Sequence, residues 1–244
     1  TYSWTVVGGA PSATTGNSIT VDWGVAGAGT LTVAETITVT GCVVTTGVYN
    51  VLINPNPAPT ITVVGGLTTV CEGTTGANYT VPLVGGDSYA WTVVGGTVTA
   101  GASTNDITVT WDVAGAGDVS IIQTTTATGC TGVASQAIVV NPLPTPIISG
   151  NNEVCSGELG VPYSVPFTAG HSYSWSVIGG AIASGAGTNS ITVNWNVAGG
   201  GGLFVQEVIT TTGCNVTTGV YNVVINPNPA PTLTSSSTVV CEGD

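Results

Sequence analysis

The chain has 244 residues, 12 carboxylate side chains, one histidine and no lysine or arginine, giving a net charge of −12. Phosphate recognition rests on Lys and Arg, so nucleic acid and anionic membrane surfaces are excluded as partners. No apolar run approaches the roughly 18 residues that a membrane helix needs, although mean hydropathy is positive, so no membrane insertion is expected.

Valine, isoleucine and threonine dominate, and Gly and Pro together make up 49 residues. That mixture reads as short strands broken by turns rather than as disorder. No segment has a helical period. The pattern begins abruptly, so Thr1 is not expected to be the first residue of its gene, and no signal peptide is visible.

The first element is the octet YSWTVVGG, Tyr2 to Gly9. It returns as YAWTVVGG from Tyr89 and as YSWSVIGG from Tyr173. A second tryptophan follows each octet, at Trp23, Trp111 and Trp195, and a T-G-C triplet ends in Cys42, Cys130 and Cys214. Trp4, Trp91 and Trp175 lie 87 and 84 residues apart. Such a period marks a repeat protein. NPNPAP at 54–59, NPLPTP at 141–146 and NPNPAP at 226–231 separate the copies. Proline at alternate positions makes them short, stiff linkers. Four segments follow: the C-terminal part of a repeat (1–57), complete repeats at 58–144 and 145–229, and the first strand of a further repeat (230–244).

Within the second repeat, Tyr89, Trp91 and Val93 alternate onto one strand face, and Ile107, Val109 and Trp111 onto another. Ile191, Val193 and Trp195 repeat the second pattern, with Thr108, Thr110, Thr192 and Asn194 pointing away. About seven such strands in about 85 residues predict an all-β, Ig-like β-sandwich, repeated in tandem. All six tryptophans, Trp4, Trp23, Trp91, Trp111, Trp175 and Trp195, are assigned to the core rather than to an exposed sugar platform.

Cys71 and Cys130 are 59 residues apart, as are Cys155 and Cys214. Equal intervals predict one disulfide within each complete repeat, Cys71–Cys130 and Cys155–Cys214, and hence an oxidising, extracellular compartment. Cys42 and Cys241 are left without partners by this rule, or bridge between chains. No C-x-x-C occurs, so zinc is not expected.

Catalysis finds no constellation. His171 stands where the preceding repeat has Asp87, and it reads as a solvated turn residue. No cofactor or metal is expected. The calcium candidates are Asp106, Asp112 and Asp118, six residues apart, but the third repeat has Ser190, Asn196 and Gly202 there and no EF-hand loop is present. Thr-rich faces at 60–63, 97–101 and 107–111 read as wet strand faces, with glycans as possible ligands. Asn78 and Asn215 fit the N-glycosylation spacing.

Several motifs occur in fixed order: V-C-x-G, Y-x-V-P (Tyr79 to Pro82, Tyr163 to Pro166), Y-x-W-x-V-x-G-G, G-x-x-T-N-x-I-T-V (Gly101 to Val109, Gly185 to Val193), T-G-C, and V-N-P or I-N-P. Together they resemble the PKD-like, Ig-like repeats of giant secreted surface proteins of gliding, type IX-secreting bacteria, over essentially the whole chain. The resemblance implies a tandem, extracellular, non-catalytic role at the cell surface, as filament or adhesin stalk, and it fixes no ligand. Its partners would be neighbouring repeats and other copies of the chain. The alternatives are an adhesin that binds glycans or other cells, and accessory repeats of a secreted hydrolase. The total absence of Lys and Arg departs from the family's usual composition.

Overall fold

A computed structural model describes residues 1–234. The described residues are all-β, with no helix. The expected strand at 230–244 lies mostly outside them, as does Cys241.

The chain divides into two compact units, Thr1–Val140 and Asn141–Asp244. The first contains one complete sandwich. One of its sheets orders Asp87–Val94, Gly115–Thr125, Thr131–Asn141 and Thr69–Cys71. The other orders Thr97–Ala100, Asp106–Trp111, Thr74–Thr80 and Thr62–Val63. The second unit repeats the plan. His171–Ile178, Gly199–Ile209, Tyr221–Asn226 and Glu153–Cys155 form one sheet, and Gly180–Ser184, Ser190–Trp195, Val161–Ser164 and Ser149–Gly150 form the other. In residues 1–57 the octet strand Tyr2–Val7 pairs with Gly27–Thr36, which also pairs with Val43–Thr45 and Tyr49–Ile53.

The alternation in sequence becomes the core. Ile107, Val109 and Trp111 are buried, as are Ile191, Val193 and Trp195. Tyr89 and Tyr173 are buried, Trp175 is buried, and Trp91 is half-buried against the same core. Trp4 and Trp23 are half-buried. In the two complete repeats the octet strand, Asp87–Val94 or His171–Ile178, is an edge strand of its sheet, whereas Tyr2–Val7 is also bridged on its other side, Ser3 to Thr15.

Each motif residue has a packing task. The octet tryptophan donates its indole N–H to the loop carbonyl of the T-N motif: Trp91 to Thr104 and Trp175 to Thr188, both at 2.8 Å, while Trp4 reaches Gly16 at 2.9 Å. The octet tyrosine accepts a backbone N–H through its hydroxyl, Tyr89 from Val84 at 2.7 Å and Tyr173 from Thr168 at 2.9 Å. The asparagine of T-N donates its amide to the Y-x-V-P strand, Asn105 to Val81 O and Asn189 to Val165 O, each at 3.0 Å. These are local ties between strands that are distant in sequence.

The two glycines of the octet do different things. The first, at Gly8, Gly95 and Gly179, has φ between 76° and 85°, where a Cβ is strained. The second is not among the positive-φ glycines but is crowded by the second tryptophan. A Cβ on Gly96 would sit 3.0 Å from the Trp111 ring and 2.7 Å from Thr110 O, and one on Gly180 would sit 2.8 Å from both Trp195 and Asn194 O. Across the sandwich, a Cβ on Gly117 would lie 2.6 Å from Trp111, and one on Gly201 2.7 Å from Trp195. Each tryptophan therefore fills a slot between two glycines. Its remaining side meets a tyrosine edge-on, Tyr79 at 6.1 Å and Tyr163 at 6.0 Å between ring centroids. The Trp111 indole also donates to the Tyr79 hydroxyl at 3.1 Å.

Burial pushes the pKa of Tyr79 and Tyr163 above the ordinary phenol value of 10.0. The neutral phenols belong to the fold. Their contribution is intact below the unfolded value and is lost as pH rises through the raised folded one.

Replacing Gly117 by alanine forces the Trp111 ring to move, so G117A is expected to cost about 1–3 kcal/mol by overpacking. Trp111→Ala is expected to cost about 3–5 kcal/mol. Gly187, with nothing within 4 Å of its would-be Cβ, is the control and G187A should stay near neutral. Urea unfolding of the full chain measures all three.

Candidate functional site: the two poles of the repeat

Each complete repeat has an inlet pole and an outlet pole. The inlet is built by the hairpin that carries T-G-C. Its turn is the same three times: Gly41, Gly129 and Gly213 have φ of 71°, 71° and 75° and donate to Ile37, Thr125 and Ile209 O at 2.8 Å. Cys42, Cys130 and Cys214 follow at the tip, each returning a carbonyl to that same residue's N–H at 2.9 Å.

The incoming proline linker lies over this pole. In the first unit Pro55, Pro57 and Pro59 border a cavity of about 230 Å³ with Pro82, Asp87 and Gln123. Gly132, beside Cys130, leaves room for Pro57 O, and the Cys130 sulfur is 3.9 Å from Asn54 O. In the second unit Pro142, Pro144 and Pro146 border a cavity of about 480 Å³ with Thr168, His171 and Glu207.

Under each linker lies a hydrogen-bonded side-chain pair. Gln123 Nε2 donates to Asp87 Oδ2 at 2.6 Å. In the third repeat His171 Nδ1 meets Glu207 Oε1 at 2.6 Å, with side-chain exposures of 15% and 5%. His171 is therefore not a solvated turn residue. It begins a strand, and the acid has changed strands between repeats while the pair has kept its place. Sequence reasoning missed the partner because Glu207 lies 36 residues away. The signal was the register: Tyr89 faces Gln123 and Tyr173 faces Glu207 on neighbouring strands.

The outlet pole carries V-C-x-G. Glu153–Cys155 pairs in parallel with Tyr221–Asn226, so Cys155 stands beside Asn226, where the chain leaves the sandwich. Val224 N–H donates to Asn152 O and Ser156 N–H to Asn226 O, both at 2.8 Å. In the first unit Thr69–Cys71 flanks Thr131–Asn141 likewise, with Val139 N–H donating to Thr68 O at 2.9 Å.

The cysteines therefore occupy opposite poles, and neither expected within-repeat bridge forms. Cys42, Cys130 and Cys155 are thiols, whereas Cys71 and Cys214 are disulfide-bonded. The reason is distance. Gly199 faces Ile225 at the outlet end of its strand, and Ile209 meets Cys214 at the inlet end. Ten residues of extended chain span about 33 Å. A disulfide needs its Cα atoms within roughly 7 Å.

The acidic candidates are not brought together either. Asp106 and Asp112 flank opposite ends of the strand Asp106–Trp111, and Asp118 lies in the other sheet. Asp106 accepts from Asn78 Nδ2 at 2.7 Å and Asp112 from Thr97 Oγ at 2.9 Å. Among the described residues no group of three or more His, Cys, Asp or Glu converges.

A family profile described as PKD-like domain matches residues 57–140 and 141–223. No curated protein matches the chain. Among solved structures it is similar to the fibronectin(III)-like modules of Clostridium thermocellum CbhA, with 11% identity, 69% of this chain and 95% of that chain covered, and a TM-score of 0.32. It is also similar to invasin, a bacterial integrin-binding protein, with 14% identity, coverages of 92% and 51%, and a TM-score of 0.40. A third is a 282-residue C-terminal fragment of intimin in complex with the intimin-binding domain of its translocated receptor, with 10% identity, coverages of 72% and 65%, and a TM-score of 0.39.

Removing one member of a buried hydrogen-bonded pair strands the other, at about 1–3 kcal/mol. His171→Ala should destabilise the third repeat by that amount. The double substitution His171→Asp with Glu207→Gln installs the pair of the second repeat and should recover most of the loss. Chemical denaturation of the four chains of this double-mutant cycle measures the coupling.

Proposed function

The chain belongs to the PKD-like domain family, and from that premise we propose that it is a non-catalytic, tension-bearing segment of an extracellular repeat array, part of a cell-surface filament or adhesin stalk. The observation that carries this reading is the parallel pairing of the first and last strands of the sandwich sheet, Glu153–Cys155 with Tyr221–Asn226.

Where the disulfides are open, tension on a tandem array enters each repeat through its linkers. The first strand is pulled towards the inlet and the last towards the outlet. Because the two run in parallel, they are drawn past one another along their length. The ladder bonds between them are loaded together rather than opened one after another. Each contributes only about 0.5–1.5 kcal/mol at equilibrium, so simultaneous loading is what gives resistance. The proline linkers suit the same task, since they are extended before any force acts. The disulfide-bonded state of Cys71 and Cys214 supports an oxidising, extracellular setting. The absence of Lys and Arg, which leaves no cleavage site for trypsin-like proteases, suits an exposed location.

Single-molecule pulling of the full chain with Cys71 and Cys214 reduced tests the reading, because a disulfide holds the residues it encloses out of the load path. Two sandwich unfolding events are expected, each releasing roughly 250–300 Å of chain. Val224→Pro deletes the N–H that bonds Asn152 O, so it should lower the unfolding force of the third repeat and leave the second unchanged. Circular dichroism checks that the variant is folded. Unfolding of the wild-type repeats at forces no higher than those of unzipped hairpins, or a folded V224P chain with unaltered forces, contradicts the proposal.

A further inference from the structure

The geometry points to the cysteines as end-to-end staples: the V-C-x-G cysteine at the outlet of one repeat is oxidised with the T-G-C cysteine at the inlet of the repeat that follows. This stands on the placement of the two cysteine classes within each repeat and does not depend on the load-bearing reading.

Three observations lead to it. First, a bond within one repeat is barred by the length of the sandwich, because outlet and inlet cysteines lie at opposite ends of the Gly199–Ile209 strand. Second, both classes do form disulfides. Cys71, counterpart of Cys155, is bonded, and so is Cys214, counterpart of Cys42 and Cys130. Third, chain direction permits one order. The linker leaves a repeat beside its V-C-x-G cysteine, as Asn226 does beside Cys155, and reaches the next beside its T-G-C cysteine, as Asn54 does beside Cys130 at 3.9 Å. A short linker delivers an outlet to the following inlet and to no other.

The same rule accounts for the thiols. Cys155 is exposed at an outlet, and no T-G-C cysteine follows Cys214 within the 244 residues. Cys42 is exposed at an inlet, and residues 1–41 hold no V-C-x-G cysteine. Cys130 calls for the V-C-x-G cysteine of the repeat to which residues 1–57 belong. Cys155 of one copy and Cys42 of another are thus complementary ends. Their oxidation joins two thiols into one disulfide. The two electrons and two protons pass to a small-molecule disulfide, which leaves as two thiols.

The full chain, incubated with oxidised glutathione, is read on a non-reducing gel and by mass spectrometry of chymotryptic peptides, since trypsin has no site. Covalent multimers are expected, with every linked protein peptide joining a V-C-x-G cysteine to the T-G-C cysteine of the next repeat, including Cys155 to Cys42 between copies. Replacing both inlet thiols (Cys42→Ser with Cys130→Ser), or both remaining V-C-x-G cysteines (Cys155→Ser with Cys241→Ser), should abolish the multimers while leaving the fold, read by circular dichroism, unchanged. A peptide linking Cys155 to Cys214 or Cys71 to Cys130 overturns the proposal. So does a chain that stays monomeric under oxidation, or multimers that persist in both variants.

Discussion

The slot that holds the second tryptophan organises each repeat. Trp111 and Trp195 have no exposed surface, and each is pressed between a glycine next to its own strand and a glycine of the opposite sheet. A Cβ at either glycine would enter the ring's space. The spacing between the two sheets is therefore set at one point by an indole ring resting on bare backbone. Tyr79 and Tyr163 close the remaining side edge-on. A ring of that size buried in a domain of about 85 residues supplies a large share of its core. The octet ends in a glycine pair because the first glycine turns the chain and the second makes room for this ring.

Once the sheets are held together, the poles follow. The octet tryptophan and tyrosine tie down the loops that border the inlet, and the T-G-C hairpin forms its rim. The outlet is defined by the parallel pair of first and last strands. A sandwich with its two ends so placed is a link that passes the chain through. With no Lys or Arg, and with His171–Glu207 the one contact between side chains that could carry opposite charges among the described residues, salt bridges contribute little to the fold. Covalent bonds and main-chain ladders remain.

Much of this was legible in the sequence, because alternation of apolar residues reports which strand face is buried. The faces of Ile107 to Trp111 and Ile191 to Trp195 follow from periodicity alone, and so does the all-β tandem architecture. Register between distant strands does not. That is why the partner of His171 was missed and why the octet strand, an edge strand, carried no sign of its position. The cysteines mislead for a different reason. In a repeat protein any pairing rule yields equal intervals, so the shared spacing of 59 residues says nothing about proximity. Strand direction decides, and it places the two classes at opposite ends. The task of the octet's second glycine is likewise illegible, because close approach of a ring from another strand leaves no mark in local sequence.

The central claim is that the parallel strand pair at the outlet is as firm as the core it closes. Native-state amide hydrogen exchange of the full chain tests it most directly, because it separates local fraying from global unfolding. The amides of Val224 and Ser156, which bond across that pair, are predicted to exchange with the same free energy as Val193 in the centre of the core. Exchange of Val224 and Ser156 through a cheaper local opening, while Val193 stays protected, would contradict the account.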